Sequence, residues 1–299
     1  MAVLPDAISI REVGPRDGLQ PETPVPVADR VRLIEALLDA GAMDVELASF
    51  VSPRAVPAMA GAADVFAAVP ARTGVCRWAL VPNARGAADA VAAGADALTV
   101  TLSASPAYNE RNVGMDVAAS LDQIERIVGL AGPADLAVDA VISCAFGSPD
   151  EGEVPPAEVV ALAARTRAAG CHHVTLADTT GMATPRRIAD VVDLIGPEVG
   201  LHLHDTRGTA LVNAYEAMAL GVRRFDTAVG GLGGSPFAHG AGGNLASEDL
   251  VHLCDDLGIG TGIHLGRLLE ASSLVASLVG RPVPSRVAAA GPRSAAAPG

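Results

Sequence analysis

One phrase recurs along this chain and limits how it can fold. "LLDAGAMDVE", "AVAAGADALTV", "TRAAGCHHVTL" and "AMALGVRRFDT" each pass from an Ala/Leu-rich stretch through a glycine into a short apolar run. The grammar is helix, stop, strand, and Gly41, Gly94, Gly170 and Gly221 stand where a helix needs a left-handed stop. Strand-type runs fall at Ala7–Val13, Met43–Ala48, Val75–Val81, Ala97–Leu102, Leu136–Ser143, His173–Ala177, Val199–His204 and Phe225–Val229. Amphipathic stretches such as Val27–Ala40, Pro53–Ala68 and Pro155–Ala169 lie between them. A βα unit repeated eight times predicts an α/β fold of the (β/α)8 TIM-barrel type. A doubly wound Rossmann sheet is the alternative, but no GxGxxG follows the first strand. After an eighth helix at Ser247–Leu257, a further helical segment is expected at His264–Val279. Residues 1–280 thus read as one TIM-barrel catalytic domain. The Ala/Pro/Gly-rich stretch 281–299 reads as a largely disordered tail.

All 21 basic residues are Arg, and there is no Lys. A Schiff-base aldolase, a PLP enzyme and a Walker P-loop each need a Lys, so none is open here. If the chain makes or breaks carbon–carbon bonds, a metal or acid/base groups must stabilise the charge. The net charge of −13 argues against nucleic acid or an anionic membrane as partner. Cys76, Cys144, Cys171 and Cys254 form no CxxC pair and read as buried thiols rather than a disulfide framework. The N-terminus does not resemble a signal peptide, and no uninterrupted apolar run of about eighteen residues suggests a membrane span. A cytoplasmic location is expected.

Barrel active sites sit where the strands end. The polar residues there are Arg16 and Asp17 after strand 1, Glu46 on strand 2, Asp178 after strand 6, His202 and His204 on strand 7, and Asn244 in the glycine-rich segment after strand 8. The strand period of two puts His202 and His204 on one face, about 7 Å apart along the strand, where both can reach one cation. The adjacent pair His172–His173 faces opposite ways and lacks that placement. Asp17, in a Gly-Pro-Arg-Asp-Gly turn, adds a carboxylate. Two imidazoles, a carboxylate and an amide oxygen suit a divalent cation, Mg2+ or Mn2+ ahead of Zn2+, with room for water. Arg16 offers a planar fork to an oxyanion. Glu46 and Asp178 are placed to orient it or to move protons. The segment between Gly230 and Gly243 carries seven glycines, as a loop that folds over a ligand would.

These blocks, "VGPRDGLQ", "VELASFVSP", "LADTTGMATP", "HLHDT" and "GLGGSPFAHGAGGNLASEDLV", resemble in order those of the 3-hydroxy-3-methylglutaryl-CoA lyase family, from about Ile8 to about Gly280. The resemblance implies that Asp17, His202, His204 and Asn244 bind the divalent cation. It implies that Arg16, with Glu46 and Asp178 beside it, stabilises the enolate of the departing acetyl-CoA. Gln20 and Arg207 are the expected substrate-binding residues, Arg207 meeting a carboxylate or a CoA phosphate or else lying on the rim. The implied partner is a small acyl-CoA, the implied products are acetyl-CoA and acetoacetate, and a homodimer is compatible with the family.

The chain departs from the family pattern at several positions. Ser235 stands where the glycine loop usually has a catalytic Cys, and Ser148 where a second Cys is common, although Cys144 matches. Arg207 replaces a frequent Tyr, and Asp150 a frequent aromatic. A hydroxyl is far less acidic than a thiol near 8.5, so proton delivery at Ser235 needs a partner, for which His239 is a candidate. These departures point to a lyase for a related 3-hydroxy-3-alkyl acyl-CoA as one alternative. A Claisen-type synthase and a non-catalytic barrel are the others.

Overall fold

In the computed structural model, which describes residues 3–149, 151–234 and 242–293, eight parallel strands close into a barrel in sequence order. The strands are β1 (Ser9–Glu12), β2 (Asp44–Ser49), β3 (Cys76–Leu80), β4 (Ala97–Ser103), β5 (Ala137–Ser143), β6 (His173–Ala177), β7 (Gly200–His202) and β8 (Arg224–Thr227). Around them run α1 (Val27–Asp39), α2 (Ala62–Ala68), α3 (Ala84–Ala92), α4 (Pro106–Val113), α5 (Val117–Ala131), α6 (Pro156–Ala168), α7 (Pro185–Ile195), α8 (Ala210–Ala219) and α9 (Ser247–Leu257). Two more follow, α10 (Leu265–Val279) and α11 (Arg286–Ala290). The TIM barrel expected from the repeat is the fold of the chain. Gly41, Gly94, Gly170 and Gly221 all take the positive φ their helix-stop positions require. No helix among the described residues is long and apolar enough to cross a membrane.

Alternation along each strand decides what faces where. Leu98, Val100 and Leu102 of β4, Val138, Ala140 and Ile142 of β5, and Val174 and Leu176 of β6 are fully buried in the apolar shell. They share that shell with helical residues such as Ile34, Leu37, Ile124 and Val159. The intervening residues face the barrel axis and are largely polar. Arg11, Trp78, Asp139, Thr175 and Asp226 line the lower interior, and Thr101, Ser143 and His202 the upper. A barrel interior normally filled by branched aliphatics here carries charge, which is stable only because the charges are paired.

Three elements differ from the sequence reading. Pro53–Ala68, expected as one helix, is a single 3-10 turn at Pro57–Met59 followed by α2. Pro57 and the left-handed Gly61 (φ 76°) break it. The ladder of β7 ends at His202, and His204 instead bridges to Asn244, because the segment returning from β8 pairs there. The stretch expected to be disordered from 281 onward is placed as far as Arg293. Ser285 N donates to Gly230 O at 2.9 Å, and Ser285 Oγ and Val287 N reach Asp249 Oδ1 at 2.8 and 2.9 Å. The carboxylate of Asp249 thereby satisfies the free amides of α11, a partnership that composition does not reveal. Residues 294–299 lie outside the described residues.

Candidate active site

The site begins where β1 gives way to one wide turn, Gly14–Gly18, closed by Gly18 N to Val13 O at 3.2 Å. Such single wide turns re-aim the side chains that follow. Buried Glu12 pins the turn: its Oε1 accepts from Gly14 N (2.7 Å) and Val229 N (2.9 Å), tying β1 to the end of β8. A Cβ on Gly14 would sit 2.6 Å from that oxygen, so only glycine fits. Burial pushes the Glu12 carboxyl up to about 7 against the hydrogen bonds it accepts.

The turn delivers Arg16 and Asp17 to the barrel mouth. The Arg16 guanidinium donates through Nε to Glu46 and through Nη1 to Asp17. Burial disfavours its charge, but Glu46 and Asp17 outweigh that, and its pKa lies above the ordinary value. Burial likewise opposes the Asp17 carboxylate, yet Arg16 and the two histidines hold its pKa well below the usual range.

His202 and His204 are buried side by side. Nδ1 of His202 lies 3.1 Å from Asp226 Oδ2, and Nδ1 of His204 lies 3.2 Å from Gly242 O. Both Nδ1 atoms face acceptors, so the hydrogen-bond network assigns each its proton there. The two Nε2 atoms then turn lone pairs toward each other at 3.1 Å. That arrangement is repulsive unless a cation or a proton lies within reach of both. Asp17 Oδ2 is 3.9 Å from His202 Nε2, and the three donor atoms lie within 4.8 Å of one another. Asn244 completes the set. Its Nδ2 donates to Asp17 Oδ2 and Leu232 O, both at 2.8 Å, which fixes the amide's orientation and leaves Oδ1 buried with no partner among the described residues. Two imidazole lone pairs, a carboxylate and an orphaned amide oxygen fit a divalent cation. In the absence of metal, burial and the neighbouring His202 push His204 down to about 4. Burial works against the His202 cation too, but Asp226 and Asp17 carry its pKa upward.

A cavity of about 180 Å3 opens above these groups. Arg16, Asp17, Gln20 and both histidines line one side, and Val51, Val56, Leu80, Pro82 and Val141 form an apolar wall. The structure thus brings together Arg16, Asp17, Glu46, His202, His204 and Asn244, with Gln20 on the wall. Asp178 is not joined to Arg16: its Oδ1 accepts from Met182 N and Ala183 N at 2.7 and 2.9 Å, and burial raises it to about 7. Arg207 is outside the cavity lining, with Nη1 on the carbonyls of Thr180 and Gly181 at 2.8 Å. Asp150, Ser235 and His239 lie outside the described residues. Gly234, just before Ser235, lines the cavity. Sequence reasoning missed Asp226, Arg11 and Glu12. An inward-facing Asp on β8 beside an inward-facing His on β7 was the available signal.

The chain is similar to known proteins over nearly its whole length. A family model described as HMGL-like matches residues 7–275. The mitochondrial hydroxymethylglutaryl-CoA lyase of Rattus norvegicus is 40% identical over 296 residues, covering 97% of this chain and 91% of that protein. A 3-hydroxy-3-isohexenylglutaryl-CoA/hydroxy-methylglutaryl-CoA lyase of Pseudomonas aeruginosa is 39% identical, covering 96% of this chain and 98% of that one. An HMG-CoA lyase from Acinetobacter baumannii, solved with coenzyme A and 3-methylmalate, superposes with a TM-score of 0.93 at 40% identity, covering 100% of this chain and 99% of its own.

Proposed function

The chain belongs to the HMGL-like family and is a carbon–carbon lyase, and on that premise we propose that it cleaves 3-hydroxy-3-methylglutaryl-CoA into acetyl-CoA and acetoacetate with a divalent cation. The observation that carries the reading is the convergence of two imidazole lone pairs and Asp17, with the Asn244 amide bonded to that carboxylate, beside a clamped arginine. Asp17, His202, His204 and Asn244 would hold the ion, Mg2+ or Mn2+ by the hardness of the donor set. Once bound, it supplies Lewis acidity that lowers the pKa of a substrate hydroxyl.

The proton of the C3 hydroxyl passes to water at the barrel mouth. The C3–O bond becomes a carbonyl, the C2–C3 bond breaks, and its electron pair passes to the thioester as an enolate. Arg16 is the residue for that charge. It lines the cavity, and Glu46 and Asp17 fix the plane of its guanidinium before substrate arrives. Protonation of the enolate carbon then gives acetyl-CoA, with Ser235 at the position assigned to that delivery. Asp178, one oxygen of which is held by the β6–α7 turn, orients the site or moves a proton. Gln20 contacts substrate from the wall, and Arg207 supports the rim.

A second reading concerns the acyl chain. The apolar wall of Val51, Val56, Leu80, Pro82 and Val141 suits a bulkier 3-alkyl substituent, and the P. aeruginosa relative's name includes an isohexenyl substrate. The same reading includes a cytoplasmic location and a homodimer, the latter supported by exposed Leu194 on α7 and Val212 and Tyr215 on α8. The test is acetyl-CoA release from a panel of 3-hydroxyacyl-CoA thioesters, with Mg2+ or Mn2+ and after chelation. Metal-dependent release from the methylglutaryl thioester supports the assignment, and no release from any thioester refutes it. Condensation of acetyl-CoA with a keto acid and no cleavage would mark a synthase.

A further inference from the structure

Beneath the histidine pair the barrel is crossed by a charge network that the chemistry above leaves unused. Arg11 of β1 extends to the axis. Its Nε and Nη2 donate to Asp226 Oδ1 and Oδ2 at 2.9 and 2.8 Å, a two-pronged grip on one carboxylate. Its Nη1 lies 2.9 Å from Asp139 Oδ2 and 3.3 Å from Thr99 Oγ1, and its guanidinium carbon sits 4.9 Å over the Trp78 ring. Arg11, Asp139 and Asp226 are all buried. Asp226 borders both the active-site cavity and a second cavity of about 210 Å3 at the lower end of the barrel. Asp226, gripped by Arg11 from the lower side, therefore stands between the two.

We propose that Arg11 is a positioning residue for the metal centre: by clamping both oxygens of Asp226 it fixes the acceptor that keeps the His202 proton on Nδ1 and the Nε2 lone pair free for the cation. The inference rests on the metal reading of the site. A carboxylate behind a metal-binding histidine sets that ring's tautomer and orientation. The carboxylate must itself be oriented, and Asp226 has rotational freedom about its terminal bond. A planar fork bonded to both oxygens removes that freedom, which a point charge would not. Arg11 is immobilised in turn by Asp139, Thr99 and Trp78, from β5, β4 and β3. His202 thereby inherits its orientation from five strands.

The competing account makes Arg11 a buried ion-pair hub that holds the barrel together and does nothing to His202. Two variants separate the accounts. Arg11→Lys keeps a positive charge between the two carboxylates but loses the fork. Asp226→Asn keeps the shape but replaces one acceptor oxygen by a donor, so it cannot satisfy both Arg11 and His202 Nδ1–H. In metal-free protein, 15N NMR of the imidazoles, with His202 assigned by difference from His202→Gln, reads the tautomer. The proton is expected on Nδ1 in the parent, and a mixture or a shift to Nε2 in both variants. Calorimetric titration with Mn2+ should show Kd rising about 10–100-fold in each, the range seen when such supporting groups are removed. The double variant should be no weaker than the worse single one, because both changes act through the same carboxylate. A parental tautomer in both variants, with Kd within about twofold of the parent, would overturn the proposal whatever happens to the melting temperature. Parent protein that binds no Mn2+ would defeat the metal reading instead, and the tautomer measurement would still decide the role of Arg11.

Discussion

Arg16→Lys is the variant that most directly tests how the enolate is handled. Arg16 is buried between Glu46, which is wholly inaccessible, and Asp17. Removing its charge would strand a buried carboxylate, a loss of about 3–5 kcal/mol when one partner of such a pair is deleted. Lysine avoids that and should leave the fold intact. The difference lies in the donors left over. Arginine has about five N–H groups; Nε serves Glu46 and one on Nη1 serves Asp17, leaving about three on a fixed plane. An ammonium has about three, and two are spent on the same carboxylates. Losing one preorganised donor to a developing oxyanion costs about 100–1000-fold in kcat. The enolate charge exists only once the bond is breaking, so KM should move by less than about threefold. Initial rates of acetyl-CoA release at saturating Mn2+, alongside a thermal melt, check this. If KM rises and kcat holds, Arg16 anchors the ground state, and the reasoning fails.

Four further outcomes are expected. His202→Ala should abolish Mn2+ binding and turnover while keeping the barrel, since Asp226 remains gripped by Arg11; calorimetry and a melt read both, and parent-like affinity would remove His202 from the metal set. Ser235→Cys should accelerate cleavage of 3-hydroxy-3-methylglutaryl-CoA near neutral pH, and slowing on every thioester tried would discard the methylglutaryl assignment. Arg207→Tyr should lower the melting temperature modestly by freeing two loop carbonyls and leave the ranking of thioesters unchanged; a changed ranking would place Arg207 on substrate. Glu248 accepts from Gly230 N, and burial raises it from 4.5 to about 7. Its protonated form is thus favoured by folding, so the stability it contributes is complete below about 4.5 and is lost as pH rises through about 7. Glu248→Gln should flatten the fall in melting temperature over that window, and an unchanged slope would count against it.

The barrel was legible because each βα unit carries its own local evidence: an apolar helix face, a glycine stop and an alternating strand. The histidine pair was legible for a related reason, since a strand period of two puts His202 and His204 on one face. Asp17, in the turn after β1, and Asn244, in the segment after β8, follow from no such parity and were named from their motifs. What parity cannot supply is the neighbour across the barrel. Arg11 and Asp226 are 215 positions apart, and nothing near either announces the other. Asp178 shows the converse: its position after β6 suggested a partner of Arg16, but two free amides of the following turn, at Met182 and Ala183, take its oxygen. The segment after 280 was misjudged because composition counts residues and not acceptors; Asp249, 36 positions before Ser285, was the acceptor it needed.

The absence of lysine connects these observations. A buried lysine can lose its proton, and lyases that use one as a Schiff base depend on that. Among the buried arginines, Arg11 and Arg16 are the two that reach the histidine site and its supporting carboxylates. Each is flanked by two carboxylates, and each is driven further toward the charged form despite burial. Neither can serve as a proton donor near neutral pH. Charge stabilisation is thereby separated from proton transfer. The arginines offer fixed positive charge, and on the proposed reading protons move through other groups, such as the substrate hydroxyl, the Ser235 position, the Asp178 carboxyl and water. Cleavage that ends in an enolate needs that separation, because an interior cation that gave up its proton would lose its hold on the charge at the moment the carbon–carbon bond breaks.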